Sequence, residues 1–453
     1  MTAALRRVAA ELAAEVAADR DGIDEGAALD VVLAGLTAEF AAGAAAHDRD
    51  GSFPFENFRS LHAQGLLALT VPTALGGAGA DLATTLKVVR AVAKGDPATA
   101  LVLVMQYLFH ASSDLRAVPD ALYARVARDA VENGALVNAL RVEPDLGTPA
   151  RGGLPATVAR RTADGWSISG HKLYSTGIPA LTWLVVWART DEPQPRVGGF
   201  LVHRDSPGIR VVETWDHLGL RASGSHDVIL EDVPTPLDHA LDLRAPGVAG
   251  PRDALFGAWA AVLTAGIYDA VAEAARDWLI AFARQRVPSN LGAALSTLPR
   301  FQEAVGIIDG LLLSNRALLA AATRGETSAV EAGLVKHLVT ENAIQAVETA
   351  LRLTGNPGTT RHNPLERHYR DVLCGRIHTP QADVVLVGAG RAAFAAVPPP
   401  EAPPPEAPYP ERFRHVQHLA VHRHHRVAGW VRDPARQRPH HRPRLYRHPG
   451  AGP

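Results

Sequence analysis

The sequence is poor in the residues that stabilise cross-linked folds. Its 453 residues include one cysteine and two methionines, and 6% of them are aromatic. A single cysteine cannot form an intramolecular disulfide, which excludes a disulfide scaffold, and it cannot by itself build a metal–thiolate site. The 47% of hydrophobic residues exclude a wholly disordered chain. At about 100–200 residues per domain, the length predicts two to four packed units.

The chain also lacks an excess of charge of either sign. Its 46 Lys and Arg nearly balance 47 Asp and Glu, for a net charge of −1. Residues 398–453 carry ten Arg against four acidic residues, a balance of +6, so the rest of the chain carries −1 minus +6, or −7. An acidic body lacks the basic surface that binds nucleic acids, so we expect no nucleic-acid partner.

Long apolar runs are absent from the sequence as well. The most apolar stretches, around residues 98–109 and 254–267, are shorter than the about 20 residues that span a membrane. The alanine-rich start is interrupted by Arg6, Arg7 and Glu11, which is unlike a signal peptide. We therefore expect a cytoplasmic protein without a membrane partner, and the lone Cys374 fits a reducing compartment.

Hydrophobic periodicity divides the chain into three folded regions and a tail. Residues 1–138 have the helical period, residues 139–241 alternate with period two, and residues 242–396 return to long helical segments. We expect an α+β protein with an N-terminal all-α domain, a central β domain and a C-terminal antiparallel helix bundle. Residues 397–453 are rich in Pro, Arg and His, which predicts a disordered tail without a catalytic role.

The strands of the β region are separated by turn residues. The clearest hairpin runs through residues 156–161, turns at Ala163-Asp164-Gly165 and returns through residues 166–169. Further strands are expected at residues 181–188, 199–203 and 226–230.

Five segments stand out along this α–β–α order. They are residues 71–79, 143–148, 165–177, 215–225, and 355–358 with 363–371. In this order the chain resembles the acyl-CoA dehydrogenase superfamily of flavoproteins, over about residues 40–395. The resemblance implies a flavin-dependent oxidoreductase. It further implies FAD, with FMN as the alternative, held between the β domain and the bundle of a homodimer or homotetramer.

The resemblance also implies which β-domain residues contact the flavin. Val142 and Thr148 fall where the family contacts flavin and phosphate, although Val142 replaces a usual Ser or Thr and loses its hydroxyl. Tyr174, Ser175 and Thr176 match the segment that covers one flavin face. The alternative is an ordinary β-strand with Lys172 in solvent.

Two further positions concern the neighbouring subunit's FAD. Gly355 and Gly358 match the family's glycine-rich turn near that cofactor, although Gly-Asn-Pro-Gly is also a strong helix stop by itself. The family usually places an Arg near the partner's pyrophosphate, and the matching position here holds Phe282.

The family's catalytic base is missing from both places where it is expected. Removal of the α-proton of an acyl thioester requires a base against the substrate. The usual Glu after Arg370-Asp371 is replaced by Thr379, and the second family position, on the first bundle helix, holds Phe256. Both substitutions argue against ordinary acyl-CoA dehydrogenation.

Two histidines are the candidate catalytic residues instead. In the monooxygenase branch, typified by dibenzothiophene monooxygenases, a His close to the place of His378 is thought to assist the reaction of reduced flavin with O2. An imidazole can supply or accept a proton near neutral pH. The branch has another His on an earlier helix. The matching position here is Gln106, and His110, one turn later on the same face, is the possible substitute.

Three functions therefore stay open. The first is a dehydrogenase that moves a hydride from an acyl thioester to flavin, with His378 as base and an electron-transfer flavoprotein as partner. The second is a monooxygenase that uses O2 and flavin reduced by a separate flavin reductase. The third is a non-catalytic scaffold, favoured by the lost hydroxyl at Val142 and the lost Arg at Phe282. Either enzyme acts on a small molecule, and no metal site is expected.

Overall fold

The computed structural model describes residues 25–111, 119–148, 153–250 and 253–396. Both the first 24 residues and the predicted tail at 397–453 lie outside these ranges. One compact unit extends to Ala393. The described part contains an N-terminal group of helices, one sheet and a second group of helices, which confirms the expected α+β class.

The helices of the N-terminal region surround one apolar helix. They are α1 (Glu25–Asp50), α2 (Phe55–Ala63), α3 (Leu82–Gly95), α4 (Pro97–Ala111) and α5 (Asp120–Asn133). Asp96 begins α4, because its carboxylate accepts hydrogen bonds from the Thr99 amide at 3.2 Å and the Thr99 hydroxyl at 2.6 Å. Nearly every residue of α4 is buried, because the helix packs between α3, the first strand and the first bundle helix.

One mixed sheet forms the middle of the chain. Its strands are β1 (Leu136–Leu140), β2 (Val158–Arg161), β3 (Gly165–Lys172), β4 (Leu181–Thr190), β5 (Val197–His203), β6 (Ile209–Val212), β7 (Asp227–Pro236) and β8 (Ala240–Arg244). They lie in the order β6-β7-β3-β2-β4-β5-β8, and β1 pairs parallel to β4. The antiparallel β2–β3 pair is the hairpin expected from the sequence. Strand residues run from Leu136 to Arg244, slightly beyond the predicted 139–241 on both sides.

Long helices form the last region. They are α6 (Asp253–Gln285), α7 (Pro299–Thr323) and α8 (Ala329–Thr354), followed by the shorter α9 (Asn356–Thr359), α10 (Leu365–Leu373) and α11 (Ala382–Ala396). A capping box starts α8, in which the Ser328 hydroxyl and the Glu331 carboxylate each bind the other's backbone N–H. Gly355 ends α8 at φ +61°, a conformation that glycine adopts without steric cost. The buried face of α10 rests on α6 and α8.

Three helices are long and apolar enough to cross a membrane, judged by length and composition alone. They are Gly26–Asp50, Asp253–Gln285 and Pro299–Thr323. The expectation that no segment reaches this length was wrong, because many alanines raise the mean hydropathy of these helices without forming an obvious apolar run. About three fifths of the most apolar window of Asp253–Gln285 is buried inside the protein, at 61%.

Candidate active site

The turn that follows α10 brings His378 against the bundle. The hydroxyl of Tyr268, on α6, lies 2.5 Å from Nδ1 of His378. Lys336, on α8, donates from Nζ to the carbonyl of Gly375 at 2.6 Å and to that of His378 at 2.8 Å. Both Tyr268 and Lys336 are buried, and His378 is half-buried at the end of this group.

The direction of the Tyr268–His378 hydrogen bond follows from what each group needs. Across the described residues, the Tyr268 hydroxyl has no other hydrogen-bond partner. A buried hydroxyl without an acceptor costs about 1–3 kcal/mol. Tyr268 therefore donates to Nδ1, and the neutral imidazole carries its own proton on Nε2. Within the same ranges no protein group is hydrogen-bonded to this Nε2, so its N–H can serve a ligand.

The surroundings keep both groups neutral at cellular pH. Burial lowers the pKa of His378 to about 4, and the ammonium of Lys336 acts in the same direction. Burial raises the pKa of Tyr268 well above 10.0. A neutral imidazole with an outward N–H can donate a hydrogen bond, and it is a weak base.

Neither position of the missing family base holds a carboxylate. Thr379 is exposed and Phe256 is half-buried. In the part of the chain that the structure describes, no hydrogen bond or ion pair joins a carboxylate to Tyr268 or His378. Asp371 is buried on α10, where it accepts from the Leu220 amide at 2.7 Å, and burial raises its pKa to about 7.

The predicted flavin-covering segment, residues 174–176, directly follows an isolated β-bridge between Val142 and Leu173. The Leu173 amide donates to the Val142 carbonyl at 2.9 Å, which brings Val142 beside the segment 174–176. Tyr174 has φ +53° and is 51% exposed, and its ring lies edge-on to Trp215 and His217. An exposed aromatic ring held in a strained backbone conformation is a surface on which a planar ring can stack.

The next two residues of this segment differ in their hydrogen bonding. The hydroxyl of Ser175 is buried and has no partner among the described residues, which leaves a donor for a bound group. Thr176 is engaged, because its hydroxyl accepts from Ser225 at 3.0 Å and its carbonyl accepts from Asn138 at 2.9 Å. The exposed ring and the unused buried hydroxyl fit a planar polar cofactor such as flavin.

Lys172 does not lie in solvent, contrary to the alternative drawn from the sequence. Its side chain is 0% exposed and donates to Oε1 of Glu143 at 2.6 Å and to the Trp187 carbonyl at 2.5 Å. Glu143 also accepts from the amides of Ala156 and Thr157, at 2.6 and 3.1 Å. This buried pair ties the segment after Val142 to the strand that leads into Tyr174.

A loop of the β domain connects the flavin-covering segment to the turn of His378. The carbonyl of His226 accepts from the Ser175 amide at 3.0 Å, and the Leu220 amide donates to Asp371 on α10. Gly219 is needed at the contact, because a Cβ there would lie 2.5 Å from the Arg370 carbonyl oxygen. The motif at residues 215–225 therefore fixes the β domain against the helix that ends before His378.

The remaining predicted site residues lie elsewhere. His110 contacts the hydroxyl of Tyr123 at 3.3 Å and the ring of Phe109, whereas His378 and Tyr268 adjoin a different hydrophobic cluster. Gln106 is structural, because its amide accepts from the Val137 amide and donates to two carbonyls. The role predicted for His110 stays a prediction.

The other predicted cofactor positions lie as follows. Gly355 and Gly358 form the junction of α8 and α9, and Thr148 is half-buried at the end of the 143–147 bridge. Phe282 stacks on Trp278 with ring centres 5.1 Å apart. The sequence reasoning missed Tyr268, Lys336 and the Glu143–Lys172 pair. Buried polar residues in otherwise apolar helices were the available signal for Tyr268 and Lys336.

Family models match all three folded regions. The N-terminal, middle and C-terminal domains of acyl-CoA dehydrogenase match residues 24–113, 141–233 and 258–379.

Individual relatives are similar in sequence to this chain over most of its length. YdbM of Bacillus subtilis, which carries an acyl-CoA dehydrogenase name, is 34% identical over 79% of this chain and 94% of its own. The L-evernosamine nitrososynthase of a Micromonospora species is 31% identical over 78% of this chain and 86% of its own. A solved structure of KijD3 with FMN and a dTDP-linked amino sugar is 30% identical, has a TM-score of 0.65, and aligns with 81% of this chain and 94% of its own. The chain therefore belongs to the acyl-CoA dehydrogenase superfamily and is a flavin-dependent oxidoreductase.

Proposed function

We propose that the chain is a monooxygenase that uses O2 and a flavin reduced by a separate flavin reductase. The observation that carries this proposal is the hydrogen bond between Tyr268 and His378. It presents the Nε2–H of a neutral imidazole where a dehydrogenase of this family needs a base.

His378 is poorly suited to remove a proton from an acyl thioester. To act at Nε2 it must carry its own proton on Nδ1, and the buried Tyr268 hydroxyl then loses its acceptor at a cost of about 1–3 kcal/mol. Its pKa of about 4 also means that it binds an additional proton weakly.

The same features suit a hydrogen-bond donor to a reacting oxygen. A bound reduced flavin supplies the electrons that activate O2. The Nε2–H of His378 donates to an oxygen on which negative charge develops, and the buried ammonium of Lys336 adds a favourable field. Loss of one such donor typically costs about 10²–10³-fold in rate.

FMN is the flavin form that we propose. The Arg that the family usually places near a partner's FAD pyrophosphate is Phe282 here, and that side chain stacks on Trp278. The related KijD3 structure contains FMN. We expect a dissociation constant for FMN at least as low as that for FAD.

An amine is the substrate class to test first. Two relatives, 31% and 30% identical to this chain, are an L-evernosamine nitrososynthase and a protein solved with an amino sugar. The balanced reaction converts an amine, O2 and reduced FMN into a hydroxylamine, water and oxidised FMN, with one oxygen atom inserted into an N–H bond.

The test supplies the protein with FMN, a flavin reductase, NADH and a panel of dTDP-linked amino sugars in air. Oxygenated product is measured by mass spectrometry. A parallel anaerobic arm mixes the flavin-loaded protein with acyl-CoA thioesters. We expect product in the first arm, and at least about 100-fold less from His378→Ala than from the wild type. Reduction of the flavin by a thioester would instead establish the dehydrogenase.

A further inference from the structure

Lys336 is a buried cation that binds only backbone carbonyls. It is 2% exposed, and within the described ranges it forms no ion pair with a carboxylate. Its two hydrogen bonds go to Gly375 and His378, the two ends of the turn that carries the candidate catalytic histidine. An ammonium that gives up hydration for two loop carbonyls holds those carbonyls at a fixed separation.

The turn is also packed closely against the bundle. A Cβ at Gly375 would lie 2.6 Å from Cγ2 of Thr340 on α8 and 2.9 Å from the Tyr268 ring on α6. The turn therefore sits directly on both helices at one end, and Lys336 fastens the other end at His378. A shift of the His378 backbone would move its ring away from the Tyr268 hydroxyl.

Lys336 acts on His378 through its charge as well as through its hydrogen bond. The Tyr268 hydroxyl from α6 contacts the imidazole, and the Lys336 ammonium from α8, bound to the backbone carbonyl of the same residue, acts on the ring through its charge. Glu341 is engaged by Arg376 at 2.6 and 2.9 Å, and its charge favours the ammonium form of Lys336, although burial lowers the pKa of Lys336 to about 8. Protonation of His378 would add a positive charge close to that of Lys336 and is therefore disfavoured.

We propose that Lys336 is a positioning residue, which fixes the turn at residues 375–378 and keeps His378 neutral with its Nε2–H directed at the ligand. This inference deepens the proposed function and rests on it only for the identity of the reaction. The positional part and the electrostatic part can be separated, because a glutamine amide can still donate hydrogen bonds but carries no charge.

The test compares Lys336→Gln and Lys336→Met with the wild type and with Lys94→Met. Lys94 is a matched control, because it forms an exposed ion pair with Asp277 at 2.6 Å. The first readout is the pKa of His378, which is measured by NMR titration of ¹⁵N-histidine-labelled protein. The signal of His378 is assigned by its loss in His378→Gln. The second readout is the dissociation constant of FMN, and the third is the pH profile of amine oxygenation.

We expect both Lys336 variants to raise the pKa of His378 by at least about one unit, a tenfold change in its proton affinity. Lys336→Gln should keep the FMN dissociation constant within about twofold, and Lys336→Met should weaken FMN binding further because the turn is released. Lys94→Met should match the wild type in all readouts. If Lys336→Met does not fold, the results for Lys336→Gln alone test the inference.

An unchanged pKa of His378 in Lys336→Gln would overturn the inference. Because the pKa and FMN binding are measured without turnover, a protein that oxygenates no amine but shows the expected pKa shift would contradict the proposed function alone.

Discussion

The substitution Lys172→Met tests the buried pair that joins two predicted flavin-binding segments. Methionine has a similar length and fills the 0% exposed site, but it removes the hydrogen bonds to Glu143 and to the Trp187 carbonyl. Breaking a buried pair by removing one partner costs about 3–5 kcal/mol, because the other charge stays buried. We expect the free energy of unfolding in urea at pH 7 to fall by that amount.

The pH dependence of this loss has a definite sign. In the wild type, burial acts to raise the pKa of Glu143, but the hydrogen bonds from Lys172 and the backbone outweigh it and hold the pKa below 4.5. The carboxylate thus contributes stability above its unfolded pKa, and this contribution is lost as the pH falls through its folded pKa. In the variant, burial dominates, and the carboxylate destabilises the fold above its unfolded pKa. The difference in the free energy of unfolding between the wild type and Lys172→Met should therefore shrink as the pH is lowered towards 4.

The assay is urea unfolding followed by circular dichroism at pH 7 and at pH 4.5, with Lys94→Met as control. The Lys94 pair is exposed, so its loss should cost no more than about 1 kcal/mol. The reasoning would be refuted if Lys172→Met were as stable as Lys94→Met at pH 7.

Three further changes test other contacts of the site. Tyr268→Phe removes the donor to Nδ1 of His378 and should slow oxygenation about fivefold, the value of one hydrogen bond, while an unchanged rate would argue against the tautomer. Gly219→Ala places a Cβ 2.5 Å from the Arg370 carbonyl and should lower the free energy of unfolding by about 1–3 kcal/mol, measured in urea. Arg370→Lys replaces two guanidinium contacts to Asp48, at 2.6 and 2.8 Å, and should lower the thermal midpoint, whereas an equal midpoint would contradict the importance of bidentate geometry.

The fold was predictable where local patterns are strong. The β2–β3 hairpin has period-two alternation on both sides of an Asp-Gly turn, and the structure contains it. The strands β1, β6 and β8 were missed. All five residues of β1 are at least partly buried, so its sequence reads as a short apolar run that does not distinguish strand from helix. The four residues of β6 are too few for a clear period.

The candidate site was predictable only in part. His378 could be located by counting from a nearby motif, but its partners are distant in sequence: Tyr268 is 110 residues away, and Lys336 is 42 residues away. A single sequence contains no information that pairs such positions. Lys172 was assigned to solvent in the alternative reading because an isolated lysine is usually exposed, and its burial depends on Glu143, 29 residues earlier.

The most direct test of the account is the tautomer of His378 in the FMN-loaded protein at pH 7. Long-range ¹⁵N–¹H correlation spectra distinguish an imidazole protonated at Nε2 from one protonated at Nδ1, and His378→Gln identifies the signal. The account predicts a neutral ring with its proton on Nε2, which donates and does not accept. A proton on Nδ1 with a bare Nε2 would make His378 an available base and would contradict the choice of a monooxygenase over a dehydrogenase.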